Sequence, residues 1–416
     1  MDLSKSETTV RKVEPNLHLK VSLGIIRYMG TWPPQNEKVY RFVYMIYTVT
    51  FLAFMLGIYL FVQSINVVLS WGNLSKIASG APIFMTNAVH AYKFIIIVRY
   101  QKRIQELLNT VHGPMFNQHN LRHERIVSWY AWQGIFHHAA YQSFGTFAVI
   151  CWGCIPIAAF LDGNNNRLPL DGWYPYDATK SPAFEITWSH QSVAIILGCI
   201  HNVAMDAFIT GLMNVASCQF ELLKWNIVAI GNDQNQDSKF TKKLSKSNNY
   251  FLQMNYDDQS YAELRKCIQH NLAIFEFVAE IQDLFSTVIS MQLFVNCLII
   301  CFTTFYISQL TEYLPAELAG NISYTCCMTY QIYIYCWNGN ELYLQNQSFA
   351  QAIYMGKWWK QSERYKRSLH IVMLRTCRPL ILTAGYFMTL SVSTFMAIIK
   401  MSYSMFTLLR SSTENI

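Results

Sequence analysis

Few residues in this chain are of a type and spacing that could do chemistry. His112, His119 and His123 with Glu124 offer imidazole and carboxylate donors, but their spacing is not that of a zinc site, and a solvated basic loop accounts for them. Cys151 and Cys154 form a CxxC pair inside an apolar run, where thiols read as small hydrophobes rather than redox groups. Glu276, Glu280 and Asp283 recur along the start of another apolar stretch and call for Lys or Arg partners. His201 and Asp206 stand out more, because an ionisable side chain in so apolar a setting is a functional candidate by default. No nucleophile is set beside a base, no acids are paired for catalysis and no metal-ligand set emerges, so these residues predict neither an enzyme nor a cofactor. The remaining signal is a row of hydroxyls in the apolar stretch 379–409. At 100° per residue Ser391, Thr394, Ile398, Ser402, Met405, Phe406 and Leu409 share one stripe, polar early and apolar late. Two readings are open: a helix packed in a bundle through small polar residues, or one lining a water-filled pore.

The elements that must position these residues are membrane helices. Of 416 residues 52% are hydrophobic and only 14% charged, too apolar and too sparsely charged for an ordinary soluble protein. The eleven cysteines are scattered, mostly in apolar runs, and suggest no disulfide scaffold. Residues 1–42 are mixed and polar and lack a signal-peptide core, which leaves the first span to act as the insertion signal. Apolar stretches long enough to cross a bilayer fall at 43–69, 81–98, 129–161, 186–218, 275–307, 322–344 and 379–409. The fold class expected is therefore an all-α membrane protein with seven transmembrane helices and its termini on opposite sides. Of the 32 Lys and Arg, 26 lie on the side of the N-terminus and 5 on the other, with Lys93 inside the second span. Positive residues accumulate on the cytoplasmic side, so the N-terminus is expected in the cytoplasm and the C-terminus, 410–416, outside. The +7 net charge thus belongs to topology rather than to a nucleic-acid partner.

Two helices are expected to outrun the bilayer. Leu264, Ile268, Leu272, Phe275 and Val278 recur at helical spacing ahead of the fifth span. A helix from 264 to 307 would measure about 66 Å against a hydrocarbon core of about 30 Å. The fourth span continues through 219–228, and the segment before the last helix is basic and patterned. Segments 219–275 and 345–378 are accordingly assigned to a cytoplasmic helical anchor domain, flanking spans five and six in 276–344. Within the first of them, 231–258 is rich in Asn, Gln, Lys and Ser and reads as a flexible loop. Spans one to four occupy 43–218, with 162–185 as a Pro- and aromatic-rich outer loop able to fold over the bundle as a lid. Ser181 and Pro182 suit the N-cap and first turn of the fourth span.

Four blocks carry a family resemblance: WYPYDATKSP in the outer loop, followed by His190 and Gln191; CQFELLK from Cys218 to Lys224; YCWNGNEL and AIYMGKWW between Tyr335 and Trp359; and SYSMFTLL near the C-terminus. With the length, the seven spans and the inverted topology, the chain resembles an insect odorant receptor of the ligand-tuned kind. The resemblance implies a heterotetrameric cation channel formed with an odorant co-receptor subunit in the plasma membrane of olfactory neuron dendrites. A small volatile odorant would open it directly, and the last helix of each subunit would line the pore for permeating cations. The odorant would sit in the outer half of the bundle, where Phe84, Asn87, Phe147, Cys151, Ile195, Tyr324 and Met328 are the candidate contacts. Aromatic and sulfur groups with few hydrogen-bonding neighbours suit a neutral, mostly apolar ligand. Ser402, Met405, Phe406 and Leu409 are the candidate pore and gate residues, and Lys400, about 180° around the helix from Ser402, is expected to face neighbouring helices or the interface. Asn73, in an Asn-Leu-Ser sequence of the first outer loop, is a candidate glycosylation site. The alternatives are a gustatory receptor of the same superfamily, whose usual end motif is absent, and a seven-helix receptor with a separate transducer, which would need the opposite orientation.

Overall fold

The structure is a computed structural model and describes residues 16–33, 38–72, 74–117, 121–161, 167–230, 249–310, 314–376 and 380–414. It is a bundle of helices: α1 Leu17–Tyr28, α2 Lys38–Leu52, a π-helical turn Ala53–Gly57, α3 Ile58–Leu69, α4 Leu74–Arg99, α5 Gln101–His112, α6 Leu121–Gly153 and α7 Ile155–Leu161. Then come α8 Ala183–Ile230, α9 Asn249–Gln309, α10 Pro315–Met355, α11 Glu363–Thr376 and α12 Val392–Glu414. Five stretches are long and apolar enough to cross a membrane: Lys76–Arg99, His123–Leu161, Ala183–Ile230, Asp258–Gln309 and Val392–Ser412. The first expected span is divided by the π-turn into Phe42–Leu52 and Ile58–Leu69, and the sixth lies on the 41-residue α10, rich in Tyr, Asn and Gln.

The bundle is organised around α8. From His201 to Phe220 every residue is buried, the mark of a helix enclosed on all sides rather than one with a single apolar stripe. Small residues there let neighbours approach closely. The short α1 lies across α8 and α6, with His18 wedged between Gly134 and Gly211. A Cβ on Gly134 would come 2.7 Å from the His18 ring, and His18 Nε2 lies 3.3 Å from the Gly211 carbonyl oxygen. At 61 residues, α9 is about 90 Å long, well beyond any bilayer core.

Three expectations about elements need correction. The loop assigned to 231–258 gives way to helix by Asn249, which extends α9; residues 231–248 lie outside the described set. The third span breaks at Cys154 into α6 and α7, between Gly153 and Pro156. Proline cannot continue an established ladder, so a break falls there naturally. The last helix does not start at 379. Residues 383–389 form a small hairpin, with Thr383 paired to Thr389 and Ala384 to Met388. Its turn uses Gly385 at φ +62 and Tyr386 at φ +64. Side chains of α9 hold it: Gln282 Nε2 donates to the Thr383 carbonyl at 2.8 Å, and Ser286 Oγ donates to the same oxygen at 3.1 Å. At the start of α8, helix begins at Ala183, just after a cis Ser181–Pro182 bond.

Candidate functional site

A cavity of about 80 Å³ lies between α4, α6, α8 and α10, beside the π-turn. On α4, Ile83, Thr86, Asn87 and His90 face it at three- and four-residue spacing. On α6 the cavity face is Tyr141, Gly145, Ala148 and Trp152; on α8 it includes Ile195, Cys199 and Asn202; α10 adds Tyr324 and Met328. The walls are mostly apolar, and their polar groups are largely paired. Thr86 Oγ1 and Tyr324 OH are 2.6 Å apart, and Asn87 Nδ2 donates to Gln63 Oε1 at 3.0 Å.

The loop before α8 and the His190–Gln191 pair supply the roof. Gln191 clamps the backbone of Leu170, accepting from its N–H at 3.3 Å and donating to its carbonyl at 3.1 Å, and also donates to Tyr174 OH at 2.8 Å. Leu170 is thereby held over the cavity. The preceding His190 places Nε2 3.3 Å from the Phe54 carbonyl oxygen and packs edge-on against the Phe54 ring. The same dipeptide therefore fixes both the lid and the π-turn whose Leu56 forms part of the cavity wall.

Beneath the cavity is a buried polar network. Lys93 Nζ lies 2.7 Å from Asp206 Oδ1, with both side chains at 1% exposure or less. Tyr141 OH donates to Asp206 at 3.2 Å, Tyr335 OH at 2.8 Å, and Gln331 Nε2 also donates to it. A buried ion pair persists when its remaining lone pairs are satisfied in this way. His90 Nε2 is 3.1 Å from His201 Nδ1, whose Nε2 lies 2.7 Å from Thr31 Oγ1. Asp206 and His201, the ionisable residues singled out in the sequence, are thus internally paired and offer no bare charge to a ligand. Gln331 also accepts from Gln292 and Asn296 of α9.

Of the seven residues expected at the ligand, Asn87, Ile195, Tyr324 and Met328 line the cavity; Phe84, Phe147 and Cys151 do not. Phe147 is 54% exposed on the outside of α6, one position off the cavity face that Ala148 shares, and Cys151 packs against Gly320 of α10. Phe84 is likewise one position from Ile83. Apolar composition identifies the half-helix but not its rotation. Tyr59, Tyr141, Trp152 and Asn202 were missed for the same reason, whereas Gln191 stood in the quoted motif.

On α12 the stripe expected to face a pore is turned inward. Ser402 is 1% exposed and donates to Cys297 Sγ of α9 at 3.3 Å, and Ile398 is buried beside it. Met405, Phe406 and Leu409 are half-buried. The opposite face carries Ser393, Met396, Ala397, Lys400, Tyr403, Ser404 and Thr407, all exposed, with Leu408 beside them at 71%. Lys400 lies on this mixed exposed face, about half a turn around the helix from Ser402. The acid row on α9 meets a base as expected: Arg103 of α5 donates to both oxygens of Glu280 at 2.7 and 2.9 Å and to Asp283 at 2.7 Å. No group of three metal-binding side chains occurs among the described residues; His119 and Asn73 lie outside them. The ten described cysteines, Cys151 and Cys154 included, are free thiols.

A predominantly helical protein with membrane-spanning stretches and a roofed cavity between its helices is the class this architecture defines. The chain matches the 7tm odorant receptor family over residues 73–403 and belongs to it. It is 24% identical over 400 residues to Odorant receptor Or1 of Anopheles gambiae, with 94% of each chain covered. To Odorant receptor 46a, isoform A, of Drosophila melanogaster it is 23% identical, covering 93% of this chain and 96% of that one. Its fold is similar to the insect olfactory receptor OR5 of Machilis hrabei in complex with eugenol, at a TM-score of 0.78 and 17% identity, with 95% of this chain and 97% of that chain covered.

Proposed function

We propose that this chain is the ligand-tuned subunit of an odorant-gated cation channel, assembled with a co-receptor subunit as a heterotetramer in the plasma membrane. The observation that carries the reading is the cavity itself: small, roofed in part by Leu170, walled by aromatic and aliphatic side chains, and without an unpaired charge. Such a site suits a neutral volatile molecule. The basic-residue bias orients the N-terminus to the cytoplasm and the lid to the outside, which puts the cavity in the outer half of the bundle. Segments 219–275 and 345–378 then form the cytoplasmic anchor. The pore face of α12 is the exposed one, with Ser393, Lys400, Ser404 and Thr407 toward the axis, because Ile398 and Ser402 are taken up by the contact with α9. On that face Leu408, 71% exposed, supplies an apolar collar that closes the resting pore by expelling water. Odorant opens it by binding the dilated state more tightly than the closed one.

Coexpression with a co-receptor and current recording against a broad panel of volatiles tests the reading. Ile195→Trp, which fills the cavity, should abolish responses at normal surface expression while leaving the co-receptor's own currents intact. Unaltered responses in that variant would place the odorant elsewhere.

A further inference from the structure

We propose that the cavity is built for a hydroxyl-bearing ligand, a small alcohol or phenol, and that Asn202 is the residue that selects it. The inference rests on reading the cavity as the odorant site. Asn202 is 7% exposed and lines the cavity from α8. Its Oδ1 is fully buried and accepts no hydrogen bond. The other polar side chains around it are occupied: Thr86 by Tyr324, Asn87 by Gln63, His90 by His201, and Tyr141 by Asp206. The exception is Tyr59, whose hydroxyl sits beside Gln63 without closing a well-formed hydrogen bond. The cavity wall therefore holds a buried, unpartnered amide oxygen and an under-used phenol among Leu56, Ile83, Val149, Trp152 and Met328.

Three ligand chemistries can be compared against this wall. A hydrocarbon fills the space but leaves the buried Asn202 oxygen unpaired. A ketone, aldehyde or ester brings only an acceptor, which can take a proton from Tyr59 but gives none to Asn202. A hydroxyl group both donates and accepts, so one group can serve the amide oxygen and still receive a bond from Tyr59. Ionised ligands are disfavoured, since the nearest buried ions, Lys93 and Asp206, neutralise each other. An unsatisfied buried acceptor costs about 1–3 kcal/mol, which corresponds to roughly fivefold to 150-fold in affinity.

The test uses the full receptor with its co-receptor and dose–response currents for matched sets of probes: cyclohexanol, cyclohexanone and methylcyclohexane; benzyl alcohol, benzaldehyde and ethylbenzene. The alcohol of each set should act at about tenfold lower concentration than its partners. Asn202→Leu should collapse that advantage to within about twofold, chiefly by weakening the alcohol, while hydrocarbon responses persist or strengthen. Asn202→Ala, a smaller change, should do the same where Asn202→Leu fails to reach the surface. Alcohols no better than their partners, or an advantage that survives both variants, overturns the assignment. So does a receptor silent to both sets whose activators in the broad panel lack hydroxyl groups. Ile195→Trp run on the same activators separates the two levels. If it silences them while no alcohol advantage exists, the cavity is right and the hydroxyl assignment wrong; if it changes nothing, the cavity reading itself fails.

Discussion

Lys93 and Asp206 form a demanding contact, since neither side chain reaches water and each is the other's counter-ion. Removing one partner strands the other, a loss typically of roughly 3–5 kcal/mol, whereas removing both with apolar replacements of similar volume is far milder. Lys93→Met should therefore lower the melting temperature of the detergent-solubilised receptor sharply, and Lys93→Met with Asp206→Leu should recover much of the loss. Additive losses in the double variant would show that the pair is not coupled. Residues of this kind were half legible in the sequence: Lys93, His201 and Asp206 announce themselves as ionisable groups within apolar spans. What the sequence does not hold is the partnership, because two positions 113 residues apart meet only once α4 and α8 are packed. The cavity residues follow the same pattern. Composition located the right half-helices, but a phase error of one residue moved Phe84 and Phe147 off the wall that Ile83 and Ala148 share.

At the level of elements, two glycines fix how segments join the bundle. Gly211 admits α1: a Cβ there would stand 2.9 Å from Leu19 Cδ2 and 3.0 Å from His18 Cδ2, and His18 has no room to retreat because Gly134 bounds its other side. Gly211→Val should overpack this junction by about 1–3 kcal/mol and loosen α1, read as faster cleavage in the N-terminal segment under limited proteolysis; unchanged protection would mean that α1 is held by other contacts. Gly385 turns the hairpin before α12 at positive φ, with Ser290 Oγ of α9 2.8 Å from where a Cβ would stand. This element was not legible in the sequence. Residues 379–409 have the length and hydropathy of one helix, and periodicity alone cannot tell a short apolar hairpin from the first turns of a helix. The decisive information is tertiary: Gln282 and Ser286 satisfy the backbone of Thr383, which a helix would have satisfied internally. By contrast, the extension of α9 ahead of its apolar span was legible, since Leu264, Ile268, Leu272, Phe275 and Val278 keep one phase into the span.

For the whole molecule, the face that α12 turns outward determines how the chain would take part in a channel. Among its exposed polar residues only Lys400 is charged along the middle of the helix, and no ion pair to it occurs among the described residues. In lipid such a charge would be costly; in a water-filled axis it is tolerated, and it repels the cations that pass. At a separation of about 8 Å and the dielectric constant of water, one positive charge raises a cation's energy by about 0.5 kcal/mol, a factor of about two in local cation concentration. Lys400→Gln should accordingly increase single-channel conductance about twofold at low ionic strength. Lys400→Glu should increase it further and favour divalent over monovalent ions. The effect should shrink as salt rises, because screening shortens the reach of the charge. Substitution of the inward-facing Ser402 by Ala should leave permeation unchanged and act instead on the α9 contact through Cys297. Equal conductance for Lys400→Gln and the parent receptor across salt concentrations, at matched surface expression, would take Lys400 out of the permeation path and return the exposed face of α12 to lipid or to a neighbouring subunit.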